Sequence, residues 1–371
     1  MRVAIDARAL LGQATGIGTY TRGIGGGLSR RPEMRVGLFS PRPLGDSALE
    51  GCSVHADAHP FGMLWLQTTL SRRLRNWEAD VLLAALTIAP AHGNLPFVSV
   101  VHDLTAWTHP QWHARRTLLG FLPLWERTVE RASRFLCVSE ATARDLTEHY
   151  PETRSRVRVV PHGIEPEFSP SQDATARERT RQRYAGGERF VLYLGTLEPR
   201  KNVEAVVAAC ERLWAHRRSR PDLVLAGGAG WKTSSLTRRI ERSPYRDKIH
   251  RPGYASRQAA RELYRAAEVF VYPSFSEGFG LPVLEALACG VPVVASTAEA
   301  LREVGGQAAL YAPPDDVGEL SAQIERALED DDLRARLTAA GPERARLFSW
   351  DAAATATSAI LREAANSSGS S

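Results

Sequence analysis

Short apolar runs alternate with amphipathic stretches along most of this chain. In the first half, six apolar runs predict buried strands, at 2–5, 36–39, 81–85, 97–101, 135–138 and 157–160. The second half repeats the pattern, with strand candidates at 190–194, 223–226, 249, 269–272 and 291–295. Helical spacing of apolar residues falls between several of them, at 19–29, 118–132, 203–213, 256–267 and 283–289. Strands that alternate with helices predict parallel sheets built from strand–helix–strand units.

A chain of 371 residues is long for a single hydrophobic core, so two domains are expected. The polar, arginine-rich stretch 169–187 is the expected linker or boundary helix. We therefore expect an α/β protein with two Rossmann-like, doubly wound domains, at 1–168 and 169–345. A last helix within 346–371, with Ser349 as its N-cap, is expected to pack back toward the first domain before a disordered tail. Doubly wound domains that face a central cleft would bind a ligand at the carboxyl ends of their strands.

Composition narrows the class of protein. The net charge of +5 suits anionic partners such as nucleotides, lipid diphosphates or a membrane surface, without selecting among them. No basic arm or RNA-binding signature accompanies the charge, so we expect no nucleic-acid partner. No apolar run is long enough to span a bilayer, and the charged start of the chain is typical of a first strand rather than a signal peptide. Four widely separated cysteines indicate reduced thiols in a cytoplasmic protein.

The segment 274–286 carries the most chemical information. It follows an apolar strand, contains Gly278 and Gly280, and places Pro282 at the start of a helical pattern. Such a turn presents backbone N–H groups and a helix N-terminus, which together bind anions. Glu277 and Glu285 flank the turn, and their carboxylates can accept hydrogen bonds from sugar or ribose hydroxyls. The segment therefore predicts a site for a sugar linked to phosphate.

Two further positions carry candidate chemistry. Arg200 and Lys201 follow a predicted strand and precede a helix, which puts two cations at the edge of the sheet where a diphosphate would bind. Lys201 is one of three lysines in an arginine-rich chain. His102 directly follows a buried strand, where a histidine is on general grounds more often a structural hydrogen-bonding residue.

These segments resemble family 4 of the retaining glycosyltransferases, which have the GT-B fold. The segment from Glu277 to Glu285 is similar to the E-x7-E motif of that family, and the match continues through 288–296. The segment 195–202 resembles the family's G-x5-K-N segment. The segment 159–164 resembles V-x-P-N-G-V, although His162 replaces the commoner asparagine.

Other matches follow the family's order. The segments 225–228 and 251–254 resemble those that flank the nucleotide base, and 16–20 looks like the glycine loop that approaches the diphosphate. The Val138–Glu140 segment resembles a strand end at which Ser139 caps the next helix. The resemblance covers roughly residues 1 to 350.

The resemblance implies front-face transfer with retention and without a protein nucleophile. The implied catalytic residues are Glu277, which orients the donor sugar, His102, supported by Asp103, and the diphosphate-binding Arg200 and Lys201. Glu285 is implied to bind the ribose. The departing diphosphate takes the proton of the acceptor. The full implied donor-binding set is Gly16, Gly18, Gly195, Arg200, Lys201, Arg251, Gly253, Tyr254, Glu277, Gly278, Phe279, Gly280, Leu281 and Glu285.

The resemblance also bears on the substrates. The segments 5–8, 16–20 and 102–110 look like the branch that contains bacterial O-antigen mannosyltransferases, which implies GDP-mannose; UDP-, dTDP- and other GDP-sugars stay open. The implied acceptor is an oligosaccharide or a polyprenyl-diphosphate-linked glycan at the inner face of the membrane. The amphipathic stretch 113–134, which includes Arg115, Arg116, Leu119 and Trp125, either contacts anionic lipid or is a buried amphipathic helix with a solvated basic face. We expect no metal, because no D-x-D motif stands in a suitable place, and no cofactor beyond the nucleotide-sugar co-substrate.

Other functions fit the sequence less well. A nicotinamide-dependent oxidoreductase needs G-x-G-x-x-G directly after the first strand, whereas Gly16 and Gly18 come about ten residues later and the motif is incomplete. A non-catalytic carbohydrate-binding homologue would not need Glu277 and Lys201. A phosphorylase or epimerase of the same fold explains the two glutamates less well. A glycosidase pair of carboxylates would leave the glycine turn and the cations without a role.

Overall fold

The protein is described by a computed structural model that covers residues 1–12, 15–113, 115–216 and 221–367. The side chains of 115–117, 119 and 120 also lie outside the description. The lipid-contact residues Arg115, Arg116 and Leu119 and most of the predicted disordered tail therefore fall outside it.

The strands of the described chain form two parallel sheets, which confirms the α/β class. One sheet has seven strands in the order β3-β2-β1-β4-β5-β6-β7. Its strands are β1 Arg2–Asp6, β2 Arg35–Ser40, β3 Cys52–Ala56, β4 Val81–Ala84, β5 Phe97–Val101, β6 Arg134–Cys137 and β7 Val157–Val159. The other has six strands in the order β10-β9-β8-β11-β12-β13. Its strands are β8 Phe190–Leu194, β9 Asp222–Ala226, β10 Ile249–Gly253, β11 Val269–Tyr272, β12 Val293–Ser296 and β13 Leu310–Ala312.

Helices connect the strands and cover both sheets. Those of the first half are α1 Gly16–Ser29, α2 Gly62–Thr68, α3 Leu70–Asn76, α4 Thr105–Thr108, α5 Arg115–Arg131 and α6 Glu140–His149. Those that follow are α7 Ala174–Ala185, α8 Val203–His216, α9 Ser234–Arg242, α10 Arg257–Ala266, α11 Leu281–Ala288, α12 Glu299–Gly305, α13 Val317–Glu329, α14 Asp331–Ala345 and α15 Trp350–Asn366. None of the helices in the described ranges is both long and apolar enough to cross a bilayer.

The chain divides into two compact units. The first unit contains Met1–Gly163 together with Phe348–Ser371, and the second contains Ile164–Leu347. The sequence predicted boundaries at 168 and 345 and a linker or boundary helix at 169–187, where the structure has α7. Each unit holds one sheet, and each sheet reverses its strand order once, between β1 and β4 and between β8 and β11. Ligands of doubly wound sheets bind at the carboxyl ends of the strands at this point of reversal.

The last helix completes the first unit by packing on α1. A Cβ atom at Gly23 would lie 2.3 Å from the Trp350 ring, and one at Gly27 would lie 2.4 Å from the Ala354 Cβ atom. The glycines of α1 therefore let the two helices approach closely. Ser349 caps α15, since its Oγ atom accepts hydrogen bonds from the N–H groups of Asp351 and Ala352.

Several local expectations need correction. Residues 16–20, expected as a glycine loop, form the first turn of α1, capped by Thr15, whose Oγ1 atom accepts from the Gly18 N–H at 3.1 Å. The sequence analysis does not predict strands β3 and β13, which lie at the edges of their sheets and are only partly buried. Trp125 is buried in the core of the first unit against Trp107 and Phe135, so it is no lipid contact and agrees with the alternative of a buried amphipathic helix.

Candidate active site

Two loops meet at the strand reversal of the second sheet. One follows β8 and contains a short 3-10 turn at Pro199–Lys201; the other follows β11 and leads into α11. The Phe275 N–H donates to the Arg200 carbonyl at 2.9 Å, and the Asn202 side-chain amide donates to the Pro273 carbonyl at 3.2 Å. Backbone and amide contacts therefore hold the two loops in a fixed register.

The side chains of these loops form a cluster of opposite charges. The Lys201 Nζ atom lies 2.5 Å from Glu277 Oε1, and the Arg200 Nη1 atom lies 3.3 Å from Glu277 Oε2. Glu198 accepts from the Arg200 Nε and Nη2 atoms at 3.2 and 3.1 Å. Lys201 also donates to the Tyr272 hydroxyl at 2.7 Å. Two cations and two carboxylates thus fix one another at the carboxyl ends of β8 and β11.

The cluster is largely removed from water. Burial raises the pKa of Glu277, but Lys201 and Arg200 outweigh burial, and the pKa lies below its ordinary value. Burial lowers the pKa of Lys201, and Glu277 opposes that shift. Breaking one partner of a buried pair leaves an uncompensated charge, which is strongly destabilising. The charges therefore depend on one another for their ionised state.

Glu285 lies in a second network with different partners. Its Oε1 atom accepts from Arg257 Nη1 at 2.5 Å, and its Oε2 atom accepts from the Tyr264 hydroxyl at 3.2 Å. Arg257 also pairs with Glu165. Burial raises the pKa of Glu285 above its ordinary value, although Arg257 opposes the rise.

The start of α11 lies between the two glutamates in sequence. Gly280 is the N-cap with φ +103°, a left-handed conformation that favours glycine, and an added Cβ atom would lie 2.5 Å from Leu301. Pro282 is the second residue of the helix rather than the first. The helix N-terminus directs its first N–H groups and its positive dipole end toward this edge of the sheet, which suits an anion. Gly278, Phe279 and Leu281 belong to this turn.

The loops that follow β8 and β9 pack their backbones closely together. A Cβ atom at Gly227 would lie 1.9 Å from the Gly195 carbonyl oxygen, so glycine is required where these two loops touch. The Gly227 N–H donates to the Gly253 carbonyl at 2.7 Å. Next in the chain, Tyr254 is 44% exposed and Arg251 is also exposed, so both side chains are available to a ligand.

The remaining predicted residues lie in the first unit. His102 donates from Nε2 to the Ala85 carbonyl at 2.8 Å, and its ring lies 5.1 Å from that of Tyr20. Burial lowers the pKa of His102, which favours the neutral ring, and with the proton on Nε2 the Nδ1 atom is an acceptor. Asp103 accepts from the Thr105 N–H at 3.0 Å and so supports the start of α4. Gly16 and Gly18 lie in the first turn of α1.

The sequence predicts Arg200, Lys201 and Glu277 as site residues, and the structure places these three in one cluster. It also predicts Glu285, which has separate partners. It missed the residues that hold them: Glu198, Tyr272, Arg257, Tyr264 and Glu165. Glu198 stands two residues before Arg200, and that spacing is the one signal that could have found it. Ser139 caps α6, as expected, by accepting from the Thr142 N–H at 3.0 Å.

The chain matches models of two glycosyltransferase families. Residues 175–344 match "Glycosyl transferases group 1", and residues 14–168 match "Glycosyltransferase Family 4". The chain is 34% identical over 260 residues to O-antigen chain mannosyltransferase B of Escherichia coli, which covers 70% of this chain and 68% of the relative. The chain belongs to glycosyltransferase family 4.

More distant relatives extend the comparison. The family member from Mycolicibacterium hassiacum described as MMP alpha-(1->4)-mannosyltransferase is 30% identical over 67% of this chain, which spans 58% of that protein. The Escherichia coli serotype-specific mannosyltransferase WbdA is 31% identical over 60% of this chain, but the match covers only 28% of that longer protein.

Solved structures show the fold. Sucrose-phosphate synthase from Thermosynechococcus elongatus superposes with a TM-score of 0.77 at 22% identity and covers 98% of both chains. Anabaena HepE, solved with UDP-glucose, gives a TM-score of 0.79 at 18% identity over 98% of this chain and 99% of that one. This family 4 protein therefore has the GT-B fold expected from its sequence.

Proposed function

We propose that this family 4 protein transfers a mannosyl group from GDP-mannose to a lipid-linked or oligosaccharide acceptor, with retention of the anomeric configuration. The second unit is the donor domain and the first is the acceptor-side domain. The observation that carries the proposal is the largely buried cluster of Arg200, Lys201 and Glu277 at the strand reversal of the second sheet. The mannosyltransferase relative from Escherichia coli supports the choice of sugar.

The cluster suits the departure of a diphosphate. The bond between the sugar C1 atom and the β-phosphate oxygen breaks, and negative charge develops on the leaving group. Fixed cations and a helix N-terminus stabilise such charge in a low-dielectric site without reorganising. Lys201 donates to Glu277 and Tyr272, and its ammonium group has a third proton for a phosphate oxygen. Arg200 and Lys201 would thus supply the positive charge that a divalent metal supplies elsewhere.

The acceptor hydroxyl forms the new bond to C1 on the face that the diphosphate leaves. Its proton passes to the departing phosphate oxygen, so the products are the mannosylated acceptor and GDP. Glu277, held by two cations, orients the sugar, and Glu285 binds the ribose. In the first unit, the neutral His102 offers its Nδ1 atom as an acceptor for a sugar hydroxyl.

A lipid-linked acceptor gains some support from the surface of the first unit. Phe61 is 67% exposed and Leu64 is 52% exposed at the start of α2, so this unit presents apolar side chains to solvent there. In this proposal the protein contacts anionic lipid and works at the inner face of the membrane. A UDP- or dTDP-sugar donor is the alternative within the same chemistry, and HepE was solved with UDP-glucose.

Transfer from GDP-mannose to a synthetic mannosyl acceptor on an alkyl diphosphate, in the presence of EDTA, tests the proposal. We expect GDP release coupled to an α-linked product, because GDP-mannose itself is α-linked, and NMR of the anomeric proton reports the configuration. Transfer from UDP- or dTDP-sugars alone would overturn the donor assignment. A β-linked product would overturn retention.

A further inference from the structure

Arg257 occupies a position that its own helix disfavours. It is the first residue of α10, after the N-cap Ser256, and a cation at a helix N-terminus opposes the helix dipole. Local helix energetics therefore do not account for an arginine at this position. Its tertiary contacts do.

The Arg257 guanidinium joins two carboxylates from separate segments. Its Nη1 atom lies 2.5 Å from Glu285 Oε1 on α11, and its Nε atom lies 3.1 Å from Glu165 Oε2. The guanidinium carbon lies over the Phe168 ring, 4.6 Å from the centroid. A guanidinium group that is held by two carboxylates and an aromatic ring has little freedom to rotate.

The same helix holds the other oxygen of Glu285. Tyr264 donates to Oε2 at 3.2 Å, so α10 fixes both carboxylate oxygens, one through Arg257 and one through Tyr264. A carboxylate oxygen has two acceptor positions. Among the described residues, each oxygen thus keeps one position for a ligand. Two adjacent acceptors match the two adjacent hydroxyls of a ribose.

We propose that Arg257 is a positioning residue that orients the Glu285 carboxylate toward both ribose hydroxyls, and that it thereby makes the donor site prefer ribonucleotides to 2′-deoxyribonucleotides. The inference rests on the proposed function, in which Glu285 binds the ribose. It deepens that function, because a GDP or UDP donor has both hydroxyls and a dTDP donor has one. Burial raises the pKa of Glu285, and the contact with Arg257 opposes that rise.

The helix offers a matched control in Arg265. About two turns after Arg257, Arg265 donates to the carbonyls of Ser169 and Glu167 at 2.7 and 2.8 Å. Both arginines therefore hold the segment 165–169 on α10. Of the two, Arg257 has the contact with Glu285.

The test measures dissociation constants by calorimetry for GDP against 2′-deoxy-GDP and for UDP against 2′-deoxy-UDP. The proteins compared are the wild type, Arg257→Gln, Arg257→Lys, Arg265→Gln and Glu285→Gln. We expect the wild type to prefer the ribonucleotide roughly tenfold, the worth of one charge-assisted hydrogen bond. Arg257→Gln should bring the ratio close to that of Glu285→Gln, Arg257→Lys should recover part of it, and Arg265→Gln should keep it.

Each other result is decisive. A ratio that Arg257→Gln leaves intact while Glu285→Gln abolishes it would overturn the inference and leave the proposed function standing. An equal loss in Arg265→Gln would assign the effect to the segment 165–169 and also overturn it. A wild type that binds nucleotides without preference would do the same, whereas a wild type that binds none of them contradicts the proposed function itself. If Arg257→Gln does not fold, Arg257→Lys, which keeps the charge but lacks the fork, provides the comparison through an intermediate ratio.

Discussion

Glu277 and Glu285 belong to one motif and are both buried and paired, yet their surroundings shift their acidities in opposite directions. Glu277 faces two cations, Lys201 and Arg200, and its pKa lies below the ordinary value. Glu285 faces one cation, Arg257, which it shares with a second carboxylate, and its pKa lies above the ordinary value. Burial raises the pKa of both carboxylates; two cations oppose it at Glu277, whereas one cation opposes it at Glu285, where Glu165 adds to the rise. We interpret the first glutamate as part of a charge cluster and the second as a hydrogen-bond acceptor for an uncharged ligand group.

The largest effect is expected at the first glutamate's partner. Lys201→Ala should lower kcat/KM for transfer about 10²–10³-fold, because it removes a fixed cation that stabilises the negative charge developing on the leaving group. Steady-state kinetics with GDP-mannose measure the change. Lys248→Ala is the control, since Lys248 also pairs with a buried carboxylate, Asp222, at 3.0 Å but lies before β10. Equal losses in both variants would contradict the assignment.

A second prediction concerns the turn between the two glutamates. Gly280→Ala should lower the free energy of unfolding by about 1–3 kcal/mol, because alanine is strained at φ +103° and its Cβ atom would overlap Leu301. Activity should fall as well, since both glutamates depend on this turn. Gly228→Ala, with no atom within 4 Å of the added Cβ, is the matched control. Chemical denaturation provides the measurement, and an unchanged midpoint for Gly280→Ala would refute the prediction.

A third prediction separates the roles of the two glutamates. Glu285→Gln should raise the KM for the donor roughly tenfold with little change in kcat, because a ribose contact is equally strong in the ground and transition states. Glu165→Gln alters the other carboxylate on Arg257 and should change the KM much less. A large drop in kcat for Glu285→Gln would show that the two glutamates share a role.

The smallest effect is the pH dependence of stability. Glu277 has a lowered pKa in the folded state, so its stabilisation is present above its unfolded pKa of about 4.3 and is lost as pH falls through the lower, folded pKa.

Glu285 has a raised pKa, so its stabilisation is present below about pH 4.3 and is lost as pH rises through the higher, folded pKa. The melting temperature of the wild type minus that of Glu285→Gln should therefore fall with rising pH, above pH 4.3. The corresponding difference for Glu277→Gln should rise with pH, below pH 4.3. If both differences in melting temperature changed with pH in the same direction, the predicted contrast between Glu277 and Glu285 would be wrong.

Much of the fold could be predicted because the strands of parallel sheets are buried on both faces and give continuous apolar runs. Strand β11 and strand β8 are fully or almost fully buried and were found with their bounds, whereas the edge strand β3 is half exposed and gave no such run. The glycines at 16–18 indicated a loop, but Thr15 caps a helix there. The site residues could likewise be predicted from their places after strands, since Arg200 and Lys201 follow one strand and Glu277 follows another.

The partners of these residues could not be predicted from the sequence. Arg257 and Glu285 are separated by 28 positions and meet only because α10 and α11 pack together. Glu165 lies 92 positions from Arg257. No periodicity relates residues at such separations, so the network that holds the second glutamate required the structure.

The most direct test of the account is calorimetric titration of the metal-free protein with GDP, UDP, dTDP, ADP and NAD, for the wild type, Lys201→Ala and Lys248→Ala. If the Lys201–Glu277 cluster binds the donor diphosphate, the wild type and Lys248→Ala bind GDP alike, and Lys201→Ala binds it at least tenfold more weakly, by about 1.4 kcal/mol or more. GDP affinity that survives the loss of Lys201 unchanged, or binding of NAD in preference to every nucleoside diphosphate, would contradict it.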